Sequence, residues 1–170
     1  DLRARLLRGI GDPAARLAED RLRVLRVLRF AAVLGFAIEE RTAAAVRATS
    51  LDGVARERVL DELGKAAAAG AAGIFLRLCA GHGQLAAVVP CAAVEPAAGV
   101  CDRLGPMPVE LALAAWLLPG GADAAGAWMA MQPVAAASRR TVPWLIATAP
   151  RLHGLPVAER RRALRRPEGA

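Results

Sequence analysis

Glu19 and Asp20 open a stretch in which Arg23, Arg26 and Arg29 follow at three-residue spacing, inside GDPAARLAEDRLRVLRVLRFAAVLGF. A carboxylate only accepts hydrogen bonds and a guanidinium only donates them, so Asp20 beside Arg23 offers an acceptor next to a donor. Cytosine shows an amino donor beside a ring-nitrogen acceptor, and adenine does the same on its Watson–Crick edge; uracil and guanine show the reverse order. One Asp–Arg pair can therefore accept C and A and reject U and G. A mismatch leaves buried polar groups unpaired, at about 1–3 kcal/mol each. Arg26 and Arg29, farther along, are placed to meet a triphosphate, whose oxygens match the planar guanidinium fork. The competing reading is a solvated charged face, which the same spacing also produces.

These side chains need a helix to align them. Positions three apart form one slowly spiralling ridge, so a helix over 20–34 sets Asp20, Arg23, Arg26 and Arg29 in a row. Leu22, Leu25 and Leu28, continued by Ala32, form an apolar ridge beside it, and Gly35 ends the helix. An extended piece near 6–10 comes first, and Asp12-Pro13 opens a turn or first helical turn. Helices are predicted at 40–48, 55–69, 72–80, 92–104, 109–118, 122–131, 138–148 and 157–165. Gly and Pro at 105–108 and 119–121 punctuate them. No period-two alternation supports a sheet, so the fold class is all-α.

At these residues the chain resembles the class II tRNA nucleotidyltransferases, the family of CCA-adding enzymes and bacterial poly(A) polymerases. Its Glu-Asp-x-x-Arg motif is matched by Glu19, Asp20 and Arg23. DLRARLLRGIGDPAARLAEDRLR resembles the segment joining the family's catalytic head to its helical neck, and RVLRFAAVLGFAIEERTAAAV the neck helices that follow. VARERVLDELGKAAA is similar to the family's Ser-x-Glu-Arg-hydrophobic-x-x-Glu-Leu-x-Lys stretch. Arg21 stands where the family commonly has Pro or a small residue, and Ala55 replaces the Ser, losing a helix cap of about 1 kcal/mol. The resemblance covers residues 1–65 and thins to a general helical likeness beyond. It implies base recognition by Asp20 and Arg23, nucleotide contacts from Arg26 and Arg29, and a supporting role for Glu19. It also implies a division into a head–neck junction remnant (1–18), a neck with nucleotide-recognition and RNA-binding helices (19–70) and a helical body or tail (71–170).

Nucleotidyl transfer needs carboxylates that hold Mg2+ on the triphosphate, and the family takes them from an Asp-x-Asp pair in its head. No Asp-x-Asp occurs in this sequence, nor does the head's Gly-Gly-x-Val-Arg-Asp or Arg-Arg-Asp signature, and the chain opens at Asp1 without methionine. The expectation is the neck-and-body portion of a larger transferase acting in tRNA processing, its catalytic head missing and no catalytic residue or metal ligand of its own. It would select CTP and ATP and hold tRNA or another RNA 3′ end for CCA or A addition, with Mg2+ a cofactor of the full-length enzyme only. The alternative is a free-standing all-helical RNA-binding or scaffold protein without catalysis.

Charge distribution fits an RNA partner. The net charge is +7. Residues 1–30 contribute +4 and residues 156–170 contribute +3, while the 125 residues between hold ten charges of each sign. Two basic ends on a neutral middle suggest two phosphate-facing regions, the second being Arg161, Arg162, Arg165 and Arg166 as RNA-backbone contacts. No apolar run approaches the roughly 20 residues of a membrane span, and no secretory signal opens the chain, so a cytoplasmic protein is expected. Cys79, Cys91 and Cys101 are too widely spaced for a zinc site with His82 or His153. Trp116, Trp128 and Trp144 are expected to be packing residues of the later helices.

Overall fold

The computed structural model describes residues 2–152, 156 and 159. Asp12 and Pro13 start the first helix. Pro13 loses no hydrogen bond in a first turn, and the Asp12 carboxylate accepts from the Ala15 N–H at 3.3 Å. The result is a capped helix, α1 (Pro13–Glu19), where the sequence suggested a turn or a single helical turn.

Asp20 then breaks the path. Its backbone is extended (φ −148°, ψ 100°), its carboxylate accepts from the Leu22 N–H at 3.2 Å, and its carbonyl accepts from the Arg23 N–H at 3.0 Å. Such local bonding from an Asp side chain competes with helix. The second helix, α2 (Arg23–Leu34), therefore begins three residues later than predicted. The expected ridge loses its first member: Asp20 stands before the helix, and Arg23, Arg26 and Arg29 remain in line on it. Gly35 ends α2 as anticipated, in the left-handed conformation (φ 63°), with the Phe36 N–H donating back to the Ala31 carbonyl at 3.2 Å.

The extended start of the chain is used in a way that alternation could not announce. β1 (Leu6–Leu7) pairs in parallel with β2 (Ala37–Ile38), Leu6 opposite Ala37 and Leu7 opposite Ile38. This two-residue ladder returns the first ten residues to the C-terminal end of α2. It thereby places Arg8 beside the helix that carries Arg23 and Arg26.

The remaining elements are α3 (Glu40–Ala48), α4 (Arg56–Ala68), α5 (Ala72–Gly81), α6 (Leu85–Val88), α7 (Val94–Leu104), α8 (Val109–Leu117), a 3-10 turn (Leu118–Gly120), α9 (Gly121–Ala130) and α10 (Ala136–Leu152). The fold is all-helical apart from the small ladder. The four-residue α6 was not anticipated, and α10 is longer than predicted, starting two residues earlier and continuing through Pro150 to Leu152. The predicted helix at 157–165 falls outside the described residues except for Glu159.

Packing follows the apolar faces. α2 buries Val24, Leu25 and Leu28 against α4 and α5, α5 packs on α7, and α8 links α4 and α7 to α9 and α10. One continuous hydrophobic cluster runs from Leu17 to Ile146. Trp116 is fully buried in it, with its ring centroid 6.5 Å from that of Phe75; Trp128 packs against its edge. α5 and α7 approach so closely that a Cβ on Gly73 would sit 2.1 Å from an Asp102 oxygen and 2.6 Å from the Ala98 carbonyl oxygen. Among the described residues, no helix is long and apolar enough to cross a membrane.

Candidate functional site

The α1–α2 junction is held by ion pairs that cross between the two motifs. Arg58, in the 55–65 stretch, donates from Nη2 to Asp20 Oδ2 at 3.0 Å. Arg29 donates from Nε to Glu62 Oε2 at 2.6 Å, a pair in which the Arg29 side chain is 13% exposed and that of Glu62 3%. Lys65 reaches the other Glu62 oxygen at 3.2 Å and Asp61 at 2.6 Å. α4 thus presents Arg58, Glu62 and Lys65 on one face, at the i, i+4, i+7 spacing a helix requires. Each of the two motifs satisfies charges of the other.

Around Asp20 and Arg23 the acceptor and donor are near in sequence but have separate partners. Arg23 donates from Nη1 to Glu19 Oε2 at 2.7 Å and to the Arg16 carbonyl at 2.6 Å. Glu19 also accepts from Arg16 at 2.9 Å, so it ties α1 to the first residue of α2. Asp20 and Glu19 border one shallow polar concavity with Arg21, Asp52 and Arg58. Arg23 and Arg26 line a different groove of about 440 Å³ with Arg8, Arg16 and Phe30. Arg29 lines neither; its guanidinium is taken up by Glu62 and lies 4.2 Å from the centre of the Phe30 ring. Arg26 is exposed and has no side-chain partner among the described residues. Arg161, Arg162, Arg165 and Arg166 lie outside the described residues.

Capacity for a ligand remains on both sides of the junction. A carboxylate offers about four lone-pair sites and a guanidinium five N–H donors. Asp20 uses two acceptor sites, on Leu22 and Arg58, and Arg23 engages Nη1 alone. With side chains 29% and 35% exposed, both can still be reached.

The two departures from the family pattern have local consequences. Arg21 donates from Nη1 to the Asp52 carbonyl at 2.7 Å, a bond that Pro in its place could not make. Ala55 stands at the N-cap of α4 and supplies no side-chain cap. Sequence reasoning also missed Arg56, which donates to Gln132 Oε1 at 3.0 Å and to the carbonyls of Ala87 and Val88 at 2.5 and 3.1 Å. Its guanidinium lies 5.6 Å from the Trp128 ring centre, and burial lowers its pKa. This side chain joins the start of α4 to α6 and the end of α9.

Acid should loosen the junction. The Arg58 hydrogen bond holds the Asp20 carboxyl below its ordinary 3.8 despite some desolvation, with help from the Leu22 N–H. The Arg23 hydrogen bond does the same for Glu19 below 4.5. A carboxylate with a depressed folded-state pKa stabilises the fold above its unfolded value, and that stabilisation is lost as pH falls through the folded value. Denaturant midpoints should therefore decline below about pH 4. Asp20→Asn should make that decline shallower, and an unchanged acid limb in this variant would contradict the Asp20–Arg58 pairing.

Among the described residues, no group of three or more His, Cys, Asp or Glu side chains comes together that could hold a metal ion. Cys79 and Cys101 are buried, and burial pushes both thiols up, away from reactive thiolates. His82 sits at the end of α5, its Nδ1 2.9 Å from the Leu78 carbonyl.

Residues 35–95 match the family described as the probable RNA and SrmB-binding site of polymerase A. That range includes the 55–65 stretch and begins after Arg29. Over 67 residues the chain is 46% identical to a CCA-adding enzyme of Limosilactobacillus fermentum. Over the same length it is 43% identical to one of Lactococcus lactis subsp. cremoris and 45% to one of Streptococcus mutans serotype c. Each match covers 38% of this chain and 17% of the relative. No solved structure matches. Residues 35–95 are thus similar to the probable RNA- and SrmB-binding site of polymerase A, and about two fifths of the chain is similar to a short part, 17%, of bacterial CCA-adding enzymes.

Proposed function

We propose that this chain is the nucleotide-selecting and tRNA-holding portion of a tRNA nucleotidyltransferase that adds CCA, or A, to RNA 3′ ends. Asp20 accepts from the exocyclic amino group of cytosine or adenine, and Arg23 donates to the neighbouring ring nitrogen. Arg26 faces the phosphates. Arg29, expected from the resemblance to contact the nucleotide, contributes in this reading through its pair with Glu62, which fixes α2 on α4. Glu19 holds Arg23 at the start of the helix. Residues 19–70 serve as the neck and 71–170 as the body, with Arg161, Arg162, Arg165 and Arg166 on the RNA backbone.

The observation that supports this most is the cross-pairing of Asp20 with Arg58 and of Arg29 with Glu62. It joins the Glu-Asp-x-x-Arg segment to a stretch inside the RNA-binding match, so base selection and RNA holding share one rigid joint. The carboxylates that hold Mg2+ and activate the attacking hydroxyl belong, on this reading, to a head domain of the full-length enzyme. No step is assigned to them in this chain.

The reading separates binding from catalysis. The 170-residue chain should bind tRNA with an affinity that weakens as salt rises, since phosphate contacts release counterions. Incubated with tRNA, labelled CTP or ATP and Mg2+, it should leave the tRNA unextended. Robust addition by the purified chain, or no measurable tRNA binding at low salt, would contradict it.

A further inference from the structure

Asp20 owes its direction to a turn, and the second residue of that turn, Arg21, is where the motif departs from the family pattern. The Arg23 N–H donates to the Asp20 carbonyl at 3.0 Å and closes residues 20–23, with Asp at the first position, where it is favoured. At the second position Pro is favoured, because its ring fixes φ near the value the turn needs. Arg21 has no ring, so its backbone keeps that conformation only if something outside the turn holds it. The side chain supplies the hold: its guanidinium spans 31 positions of sequence and donates from Nη1 to the Asp52 carbonyl at 2.7 Å.

The acceptor is itself fixed. Leu51 is buried in the hydrophobic cluster, the Asp52 N–H donates to the Ser50 hydroxyl oxygen at 3.0 Å, and the Val54 N–H donates to the Leu51 carbonyl at 3.0 Å. Residues 51–54 thus form a second turn. Gly53, its third residue, has φ +78° while Asp52 keeps a negative φ, which makes the turn type II. Types I and II differ by a turn-over of the peptide joining the two central residues, and the carbonyl of that peptide belongs to Asp52. Positive φ at Gly53 therefore decides where this carbonyl points, and it points to Arg21. A Cβ on Gly53 would meet nothing within 4 Å, so the backbone conformation alone calls for glycine.

We propose that Arg21 is a positioning residue for Asp20: its bond to the Asp52 carbonyl does for the 20–23 turn what a proline ring would do, and so keeps the Asp20 carboxylate aimed at the base. Gly53 acts with it by presenting the acceptor. The inference deepens the proposed function and rests on it for the role of Asp20. The bonds that Asp20 accepts from Arg58 and from the Leu22 N–H orient the carboxylate only while the backbone beneath it stays in place. Asp20, Arg21, Asp52, Gly53 and Arg58 all border the same polar concavity, so a shift of either turn is felt at Asp20.

Titration of the Asp20 carboxyl by nuclear magnetic resonance in the 170-residue chain tests it. The carboxyl titrates below 3.8 in the unaltered chain, and it should move up toward that value in Arg21→Ala and in Gly53→Ala but stay low in Arg21→Pro. Arg21→Pro removes the same charge as Arg21→Ala, and Gly53→Ala removes none, so loss of positive charge alone cannot give this pattern. With the chain joined to a nucleotidyltransferase head, Arg21→Ala and Gly53→Ala should each lower the preference for CTP over UTP about tenfold, less than the roughly hundredfold that a displacement of about 1 Å can cost. Arg21→Pro should recover most of that preference. An unchanged Asp20 titration in both Arg21→Ala and Gly53→Ala, or an Arg21→Pro enzyme as unselective as Arg21→Ala, would overturn the proposal. Asp20→Ala distinguishes it from the reading on which it rests. If Asp20→Ala relaxes the preference for CTP and the Arg21 and Gly53 variants do not, base selection stands and the positioning role fails. If those variants shift the Asp20 titration as stated while Asp20→Ala keeps wild-type preference, the positioning role stands and base selection by Asp20 fails.

Discussion

Glu62→Ala is expected to destabilise the chain by about 3–5 kcal/mol, because it leaves the largely buried Arg29 guanidinium without its counter-charge. The pair is 2.6 Å long and its acid is 3% exposed, so water cannot take over the lost interaction. For a chain of this size, that loss corresponds to a fall of roughly 10 °C in Tm. Lys65 also loses one of its two acceptors, but it is half exposed and keeps Asp61, so its share is small. Arg29→Met combined with Glu62→Leu should recover most of the stability, since replacing both ions by apolar groups removes the desolvation penalty as well as the attraction. Urea unfolding of the three proteins measures both effects. A Glu62→Ala variant within 0.5 kcal/mol of the unaltered chain, on the order of a surface substitution, would show that the pair does not hold α2 on α4.

Much of the helical framework was legible because its signals are local. Gly35 in the left-handed conformation ends α2, and Glu40–Ala48 forms α3 over the predicted range. Helix type there follows from periodicity and stop residues within a few positions. What was not legible arises from competition between neighbours or from pairing across the chain. Asp20 fits a helical ridge by spacing, yet its carboxylate bonds the Leu22 N–H and delays the helix to Arg23. The β1–β2 ladder joins residues thirty-one positions apart with two residues on each side, too short for any alternation to show.

The candidate site divides in the same way. Residue types in the Glu19–Arg29 segment pointed to an acceptor and a row of donors, and Arg23 and Arg26 do border one groove. The partners of that row were hidden because they lie about thirty to forty residues away: Arg58 on Asp20 and Glu62 on Arg29. The 55–65 stretch carries Arg58, Glu62 and Lys65 at i, i+4, i+7, a spacing that marks one charged helical face, but only packing turns that face toward Asp20 and Arg29. Arg8 had no such signal. Only the strand pairing of the first residues brings it to the groove.

The most direct test of base selection joins this chain to a nucleotidyltransferase head that carries the Asp-x-Asp pair and follows incorporation from equal mixtures of CTP, ATP, UTP and GTP. Each charged hydrogen bond to the base edge is worth about 1.5–3 kcal/mol, so its loss changes a rate ratio by roughly ten- to a hundredfold. Wild type should use CTP and ATP and reject UTP and GTP. Asp20→Ala and Arg23→Ala should each lower CTP and ATP use while letting UTP and GTP in, whereas wild-type discrimination among the four nucleotides in both variants would contradict the assignment of Asp20 and Arg23 as the selecting pair.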